Sequence, residues 1–279
     1  MTTTAAKQPV KNDAGGTPFW WAGTAPQAVV SPLAIQQQGG AVITSGRQVR
    51  SSGLQRVLQA TPTNPPAPYV LRFPKSGVYR YQCAVHPSMH GVIRVLPRSA
   101  DIPASAYLAQ LAEAQFARVI RQVKGLSRRA PAVKDRVWVG VGTRQGAEIA
   151  AMFPPRLTVS RGTTVTFANT DPTDIHTLTF GPAPLRSRIE QTFIAPQGTP
   201  PVLVFNPLGL FASEPPGSPV PVAYDGANHG NGYLNSGLLS PRGAPGPGGS
   251  AIRITFSKPG VYHYECVIHS GMDGTVVVT

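Results

Sequence analysis

Cysteine is nearly absent: the 279 residues hold two, Cys83 and Cys266, so at most one intrachain disulfide is conceivable. Both fall in a repeated motif at positions suited to binding metal, and no disulfide is expected even in an oxidising compartment. Long apolar runs are missing too. No stretch approaches the roughly 18 residues of a helical membrane span, and Met1 to Val10 has no apolar core of the kind a signal peptide carries. Acidic residues are few, 12 against 25 lysines and arginines, for a formal charge of +13. That balance raises nucleic acid, an anionic surface or an acidic protein as partners. The basic residues are scattered, and their densest run, Arg128, Arg129, Lys134 and Arg136, lies in a connecting stretch. Without an aromatic-interleaved basic stripe, nucleic acid is not expected as a partner, and a solvated basic surface is the simplest reading. Histidine and methionine are sparse, six and four, and no His-x-His pair occurs.

What is abundant is proline and glycine, 30 and 29 residues. They punctuate the chain too heavily for a helical bundle and favour short strands joined by turns. A block of seventeen residues is repeated, Gly77 to Ile93 and Gly260 to Val276, and each copy contains C-x-x-H-x-x-M. Cys83, His86 and Met89 match Cys266, His269 and Met272 at one constant offset of 183. An ungapped repeat at this distance is a domain duplication, since arrays of small units repeat at a far shorter period. Thiolate, imidazole and thioether on one short loop match the donors of a mononuclear copper electron-transfer site, which takes two His, one Cys and a weak axial Met.

Ile102 to Lys124 carries the one strong helical pattern, with Leu108, Leu111, Phe116, Val119, Ile120 and Val123 at three- and four-residue steps. Asp101 and Pro103 suit its start and Gly125 its stop, and its apolar stripe is expected to dock on one or both domains. From there the pattern becomes short strands: Val137 to Val141, Ile149 to Phe153, Leu157 to Val159, Thr163 to Asn169, Ala251 to Phe256, Gly260 to Cys266 and Thr275 to Val278. Between Gly181 and Ser250 lies a Pro/Gly-dense segment, including Pro245 to Gly249. A structureless stretch of that length is unusual in a compact domain, so part of it supplies strands, such as Leu203 to Phe205, and part an elaborated loop.

The ligand loop alone cannot complete a coordination sphere, and a sandwich must bring the fourth ligand from another strand. His176 is the candidate, placed after the turn Thr170 to Asp174 and at the start of a strand through Phe180. Gly260 to Val278 resembles the last two strands and ligand loop of the plastocyanin/azurin (cupredoxin) family, with the short spacings of the amicyanin type. Leu157 to Phe180, with Asn169, Asp171 and His176, resembles that family's N-terminal ligand strand. The resemblance implies a mainly β fold of two Greek-key β-sandwiches joined by a helical linker. The expected domains are 1–98, lacking its N-terminal strands, the linker 99–135, and a complete domain 136–279. It also implies one type 1 copper held by His176, Cys266, His269 and Met272, with His269 on the exposed loop as the electron port. His90, His229 and His263 are read as structural or solvent-exposed.

The first copy has Cys83, His86 and Met89 but no histidine before His86, and the counterpart of His176 would fall upstream of Met1. Two expectations compete. The chain has lost an exported leader, the first strands and the histidine, with Met1 to Gly16 as part of a loop, or the first domain is a degenerate copy. The functional expectation is a single-electron copper carrier, Cu2+/Cu+, that is not an enzyme, is exported, and serves redox partner proteins, an acidic one among them. A multidomain copper oxidase or nitrite reductase would need extra histidines. Copper storage or delivery, or a cell-surface binding role, would favour more exposed Met and Cys than this chain has.

Overall fold

Short runs rich in Val, Ile, Phe and Tyr, bounded by Gly, Pro and Asp, become strands because such side chains pack well on a half-buried pleated surface. The computed structural model describes residues 37–53, 68–84, 86, 88–199, 202–244 and 249–279, with the backbone of 2–4 and 27–29. The protein is mainly β, with several sheets and a helix in the middle of the chain. It forms two compact units, residues 30–118 with Met1, and residues 119–279 with 2–29.

The larger unit is built on two five-stranded sheets. One has the order Val222–Tyr224, Ala251–Phe256, Thr164–Thr170, Arg136–Gly142, Glu148–Phe153. The other has the order Leu234–Asn235, Thr179–Phe180, Gly260–Glu265, Asp273–Val278, Arg156–Val159. Val137, Val139, Phe167, Ile254 and Phe256 from the first sheet share one core with Phe180, Tyr264, Val276 and Val278 from the second. Phe167 meets the Tyr264 ring edge-to-face at 5.3 Å, an arrangement that adds to simple area burial. The strands expected at 137–169 and 251–278 are present, whereas the one expected from His176 through Phe180 is reduced to Thr179–Phe180, with His176 in an isolated bridge to Leu239. Cys266 and Met272 lie inside this same core, at 2% and 1% exposure.

In the smaller unit the hairpin Gly77–Gln82 with His90–Val95 repeats, at the same offset, the pairing of Gly260–Glu265 with Asp273–Val278. The likeness extends to side chains. Tyr79 donates to the Lys75 carbonyl and Tyr262 to the Lys258 carbonyl, each at 2.9 Å. Burial differs sharply, because Tyr81 is 60% exposed where its counterpart Tyr264 is fully buried. Among the described residues nothing covers the Tyr81 face of the first hairpin as the core covers the second.

The central helix runs Ser105–Leu126 and continues as a 3-10 turn, Ser127–Arg129. It starts later than the sequence suggests and passes through Gly125. Leu126 explains the extension: it is 1% exposed and clusters with Val141, Ala147 and, partly buried, Val123. That packing outweighs the roughly 1 kcal/mol helical cost of one glycine. Among the described residues this C-terminal end is the docked part of the helix, and Leu108, Leu111, Phe116, Val119 and Ile120 are exposed.

The Pro/Gly-dense segment contains the helix Ala183–Gln191, the strands Ile194–Gln197 and Val202–Phe205, and the short helix Pro207–Leu210. Met1 to Gly16 is not simply loop. Thr2–Thr4 is a strand paired with Gln27–Val29, which in turn meets Val202–Phe205 through Val29 and Val204. A threonine run suits an added outer strand. The rest of Met1 to Gly16, and residues 245–248, lie outside the described residues.

Candidate metal centre

The centre forms where the strand Gly260–Glu265 ends and the chain turns back into Asp273–Val278. Two backbone bonds shape that turn, Cys266 N–H to the Met272 carbonyl at 2.9 Å and Met272 N–H to the His269 carbonyl at 3.1 Å. They place the Cys266 Sγ 3.5 Å from the His269 Nδ1. His176 enters from the other side. Its backbone makes an isolated antiparallel bridge to Leu239, with N–H and C=O both bonded to that residue. Its Nδ1 lies 3.2 Å from the His269 Nδ1. The ligand atoms of His176, Cys266 and His269 all fall within 4.8 Å of one another.

Burial would push the Cys266 thiol up, but hydrogen bonds from His176 and His269, with their charge, pull it down to about 5. Burial would likewise lower His269, yet bonding to Asp174 and Cys266 carries it up to about 10. The sulfur is thus poised as thiolate, the form that binds metal. Thr177 adds its backbone N–H to the Sγ at 3.3 Å, and its hydroxyl, 3.8 Å from the sulfur, accepts the Val267 N–H at 2.9 Å.

Asp174 meets the far edge of His269, Oδ2 to Nε2 at 3.1 Å, with side-chain exposures of 13% and 20%. The distance is that of an ion pair, while Oδ2 has no partner in good hydrogen-bonding geometry. Charge attraction depends on the distance and survives a poor angle. The far nitrogen of His176, Nε2, is buried with no hydrogen-bond partner among the described residues. It is wedged against Gly140, where a Cβ would come within 2.2 Å of it.

Two imidazole nitrogens and a thiolate facing one another suit a borderline-soft ion. Met272, buried in the same cluster as Cys266, offers a thioether that copper sites use and structural zinc sites do not. The cluster of donors therefore fits copper. Asp174, Thr177 and Gly140 were not singled out by sequence reasoning. Asp174 stood in the turn before His176 as a second Asp, but nothing in the sequence aims it at a residue 95 positions away.

The expected donors of the first loop are only partly assembled. Cys83 Sγ lies 3.5 Å from His86 Nδ1, and the backbone bonds Cys83 N–H to Met89 C=O at 2.7 Å and Met89 N–H to His86 C=O at 2.9 Å repeat the second loop. Met89, however, is 65% exposed, against 1% for Met272. Of the other histidines, His90 and His263 are exposed, and His229 pairs with Glu214 at 3.1 Å.

No family model matches the chain, and no curated protein does. Among solved structures it is similar to oxidised plastocyanin from Dryopteris crassirhizoma, at 20% identity over 52% of this chain and 99% of that one, TM-score 0.27. A purple cupredoxin from Nitrosopumilus maritimus matches at 19% identity over 52% of this chain and 98% of that one, TM-score 0.27. A copper-containing nitrite reductase from Thermus scotoductus matches at 21% identity over 53% of this chain but 23% of its own length, TM-score 0.26. At identities and TM-scores this low, the assignment of the metal rests on the donors themselves. The His176, Cys266 and His269 cluster is positioned to hold a copper ion, and its donor set fits a type 1 site.

Proposed function

We propose that the protein is a one-electron copper carrier whose working site lies in a C-terminal domain of residues 136–279, where His176, Cys266, His269 and Met272 would hold the ion. The observation that carries this reading is the convergence of three donors within 4.8 Å on a largely buried core. Bound copper would supply a Cu2+/Cu+ couple. The protein's part is to keep the donors still. His176 is held by its bridge to Leu239, Cys266 by Thr177 and by the turn to Met272, and His269 by Asp174. Donors fixed from outside the coordination sphere need little rearrangement when the charge at the centre changes, which favours transfer of single electrons.

The first loop, within a domain of residues 1–98 that a helical linker of 99–135 connects, is a partial site of Cys83, His86 and Met89. Its shared backbone turn supports that reading. A redox partner protein and an exported location complete it. No helix among the described residues is long and apolar enough to cross a membrane. The test is a stoichiometric redox titration of the copper-loaded protein together with turnover assays. Reversible uptake of one electron without turnover of nitrite or phenols supports a carrier. Sustained nitrite reduction would make it an enzyme, and failure to cycle would favour storage or delivery.

A further inference from the structure

We propose that Asp174 is the positioning residue of this centre: its carboxylate fixes the ring of His269 and biases the bound ion toward Cu(II). The inference rests on the copper reading and adds a component that the ligand set does not contain. Sequence reasoning makes His269 the exposed port. In the structure, the ring edge remote from the sulfur faces Asp174 Oδ2 at 3.1 Å, and the side chain is only 20% exposed.

Asp174 is itself locked on every other side. Its Oδ1 accepts the Ile175 N–H at 2.7 Å, its carbonyl accepts from Asn169 Nδ2 at 2.9 Å, and its N–H donates to Asp171 Oδ1 at 3.1 Å. Asp171 Oδ1 also takes the Thr173 N–H and hydroxyl, at 2.8 and 2.9 Å. The turn thus fixes Asp174 by its N–H, carbonyl and Oδ1 and leaves Oδ2 toward His269. A ring with Nε2 so engaged keeps Nδ1 directed at Cys266 and His176. Carboxylate partners of ligand histidines are a general means of orienting the ring and raising its basicity. Burial, then the charges of Asp174 and Asp171, hold the nearby Glu148 carboxyl above its usual range, against the opposing pull of His269 and His176. The Asp174 carboxylate, 3.1 Å from the His269 Nε2, sets negative charge beside the centre, and negative charge stabilises the more oxidised ion.

Asp174→Asn separates the two roles of this side chain. It keeps an oxygen for Ile175 N–H, and so the turn, but removes the charge from the His269 edge. Asp174→Glu retains the charge with displaced geometry. Copper affinity in both oxidation states, the visible band and the reduction potential are measured for wild type and both variants, with unfolding of the metal-free proteins as the check on structure. The expected result for Asp174→Asn is a metal-free protein that still unfolds cooperatively, at somewhat lower stability below pH 10, Cu(II) affinity lower by about 10- to 100-fold, and a smaller loss for Cu(I). A tenfold excess loss for Cu(II) reads as a potential raised by about 59 mV for one electron. Asp174→Glu recovers part of the shift. A blue wild type with unchanged affinity and potential in Asp174→Asn overturns the proposal alone. A colourless wild type overturns the copper reading and this proposal with it.

Discussion

Gly140 shows how closely single residues define the centre. It sits at a register shift of the Arg136–Gly142 strand with φ of +71°, conformational space that favours glycine, and its backbone presses on His176. Gly140→Ala is expected to cost more than about 1 kcal/mol from the backbone alone and to displace the His176 ring, altering the visible band. Gly162→Ala, at φ of +83° with open space around it, should cost stability without touching the spectrum. Equal spectra for the two variants would remove Gly140 from the site's architecture. A second expectation concerns the metal-free protein. Cys266, whose thiol is held down to about 5 in the fold against an ordinary 9.0, contributes stability that is complete above 9.0 and lost as pH falls toward 5. His269, raised from 6.5 to about 10, contributes stability that is complete below 6.5 and lost as pH rises toward 10. The two slopes oppose each other between 6.5 and 9.0, so denaturation midpoints should form a plateau there, falling on both sides. Cys266→Ala should remove the acid limb, and a wild-type profile without that limb would contradict the thiolate at this site.

At the scale of elements, the Pro/Gly-dense segment buttresses the ligand loop. Ile189, Phe193, Leu210, Tyr233 and Leu238 form a second apolar cluster with Val267, against which Ile175 and Ile268 also pack. Val267 and Ile268 are the two spacer residues between Cys266 and His269, and Ile175 precedes His176. Arg186, on the helix Ala183–Gln191, also pairs with Glu265 at 3.0 Å, one residue before the ligand cysteine. Ile189→Ala, at a fully buried position, is expected to cost about 2–5 kcal/mol and to loosen the loop, seen as weaker copper retention against a chelator. Ile194→Ala, at a 40% exposed position, should do neither. Unchanged copper retention in Ile189→Ala would mean the cluster stabilises only itself. This buttress was not legible beforehand. Period-two alternation marks strands that bury one face, whereas the insert is held by scattered contacts of long sequence separation. The strands at 136–170 and 251–278 were legible because alternation and Gly/Pro punctuation coincide there, whereas Ile194–Gln197, Val222–Tyr224 and Leu234–Asn235 inside the insert were not. The helix end was misplaced because the burial of Leu126 against Val141 and Ala147 cannot be read from local sequence.

At the scale of the whole molecule, the duplication makes two like hairpins that meet different fates. The same Tyr-to-Lys carbonyl bond, the same pairing register and the same Cys–His separation recur, yet Tyr81 and Met89 are exposed where Tyr264 and Met272 are buried. The C-x-x-H-x-x-M signature therefore specifies the turn, and the second sheet with His176 specifies the closed site. Three donors with soft sulfur and an open side favour Cu(I). Cys266→Ser is expected to abolish the blue colour while one Cu(I) per chain still binds at the first loop, and Cys83→Ser in addition should abolish that. No Cu(I) binding by the single variant would leave the first loop as shape without function. The loop donors were legible as a motif, because three residue types, Cys, His and Met, recur at short spacings in two copies, whereas the meeting of His176 with Cys266 and His269 is seen only in the fold. The support of that centre by Asp174 and Thr177 was not legible either, since these act across 95 and 89 positions.

The account stands most directly on the visible spectrum and copper count of the Cu(II)-loaded protein beside its His176→Ala variant. An intense blue band with one Cu(II) per chain, lost in the variant, is the expected result. A wild type without that band, or a variant that keeps it, would contradict the assignment of His176, Cys266 and His269 as a type 1 copper site.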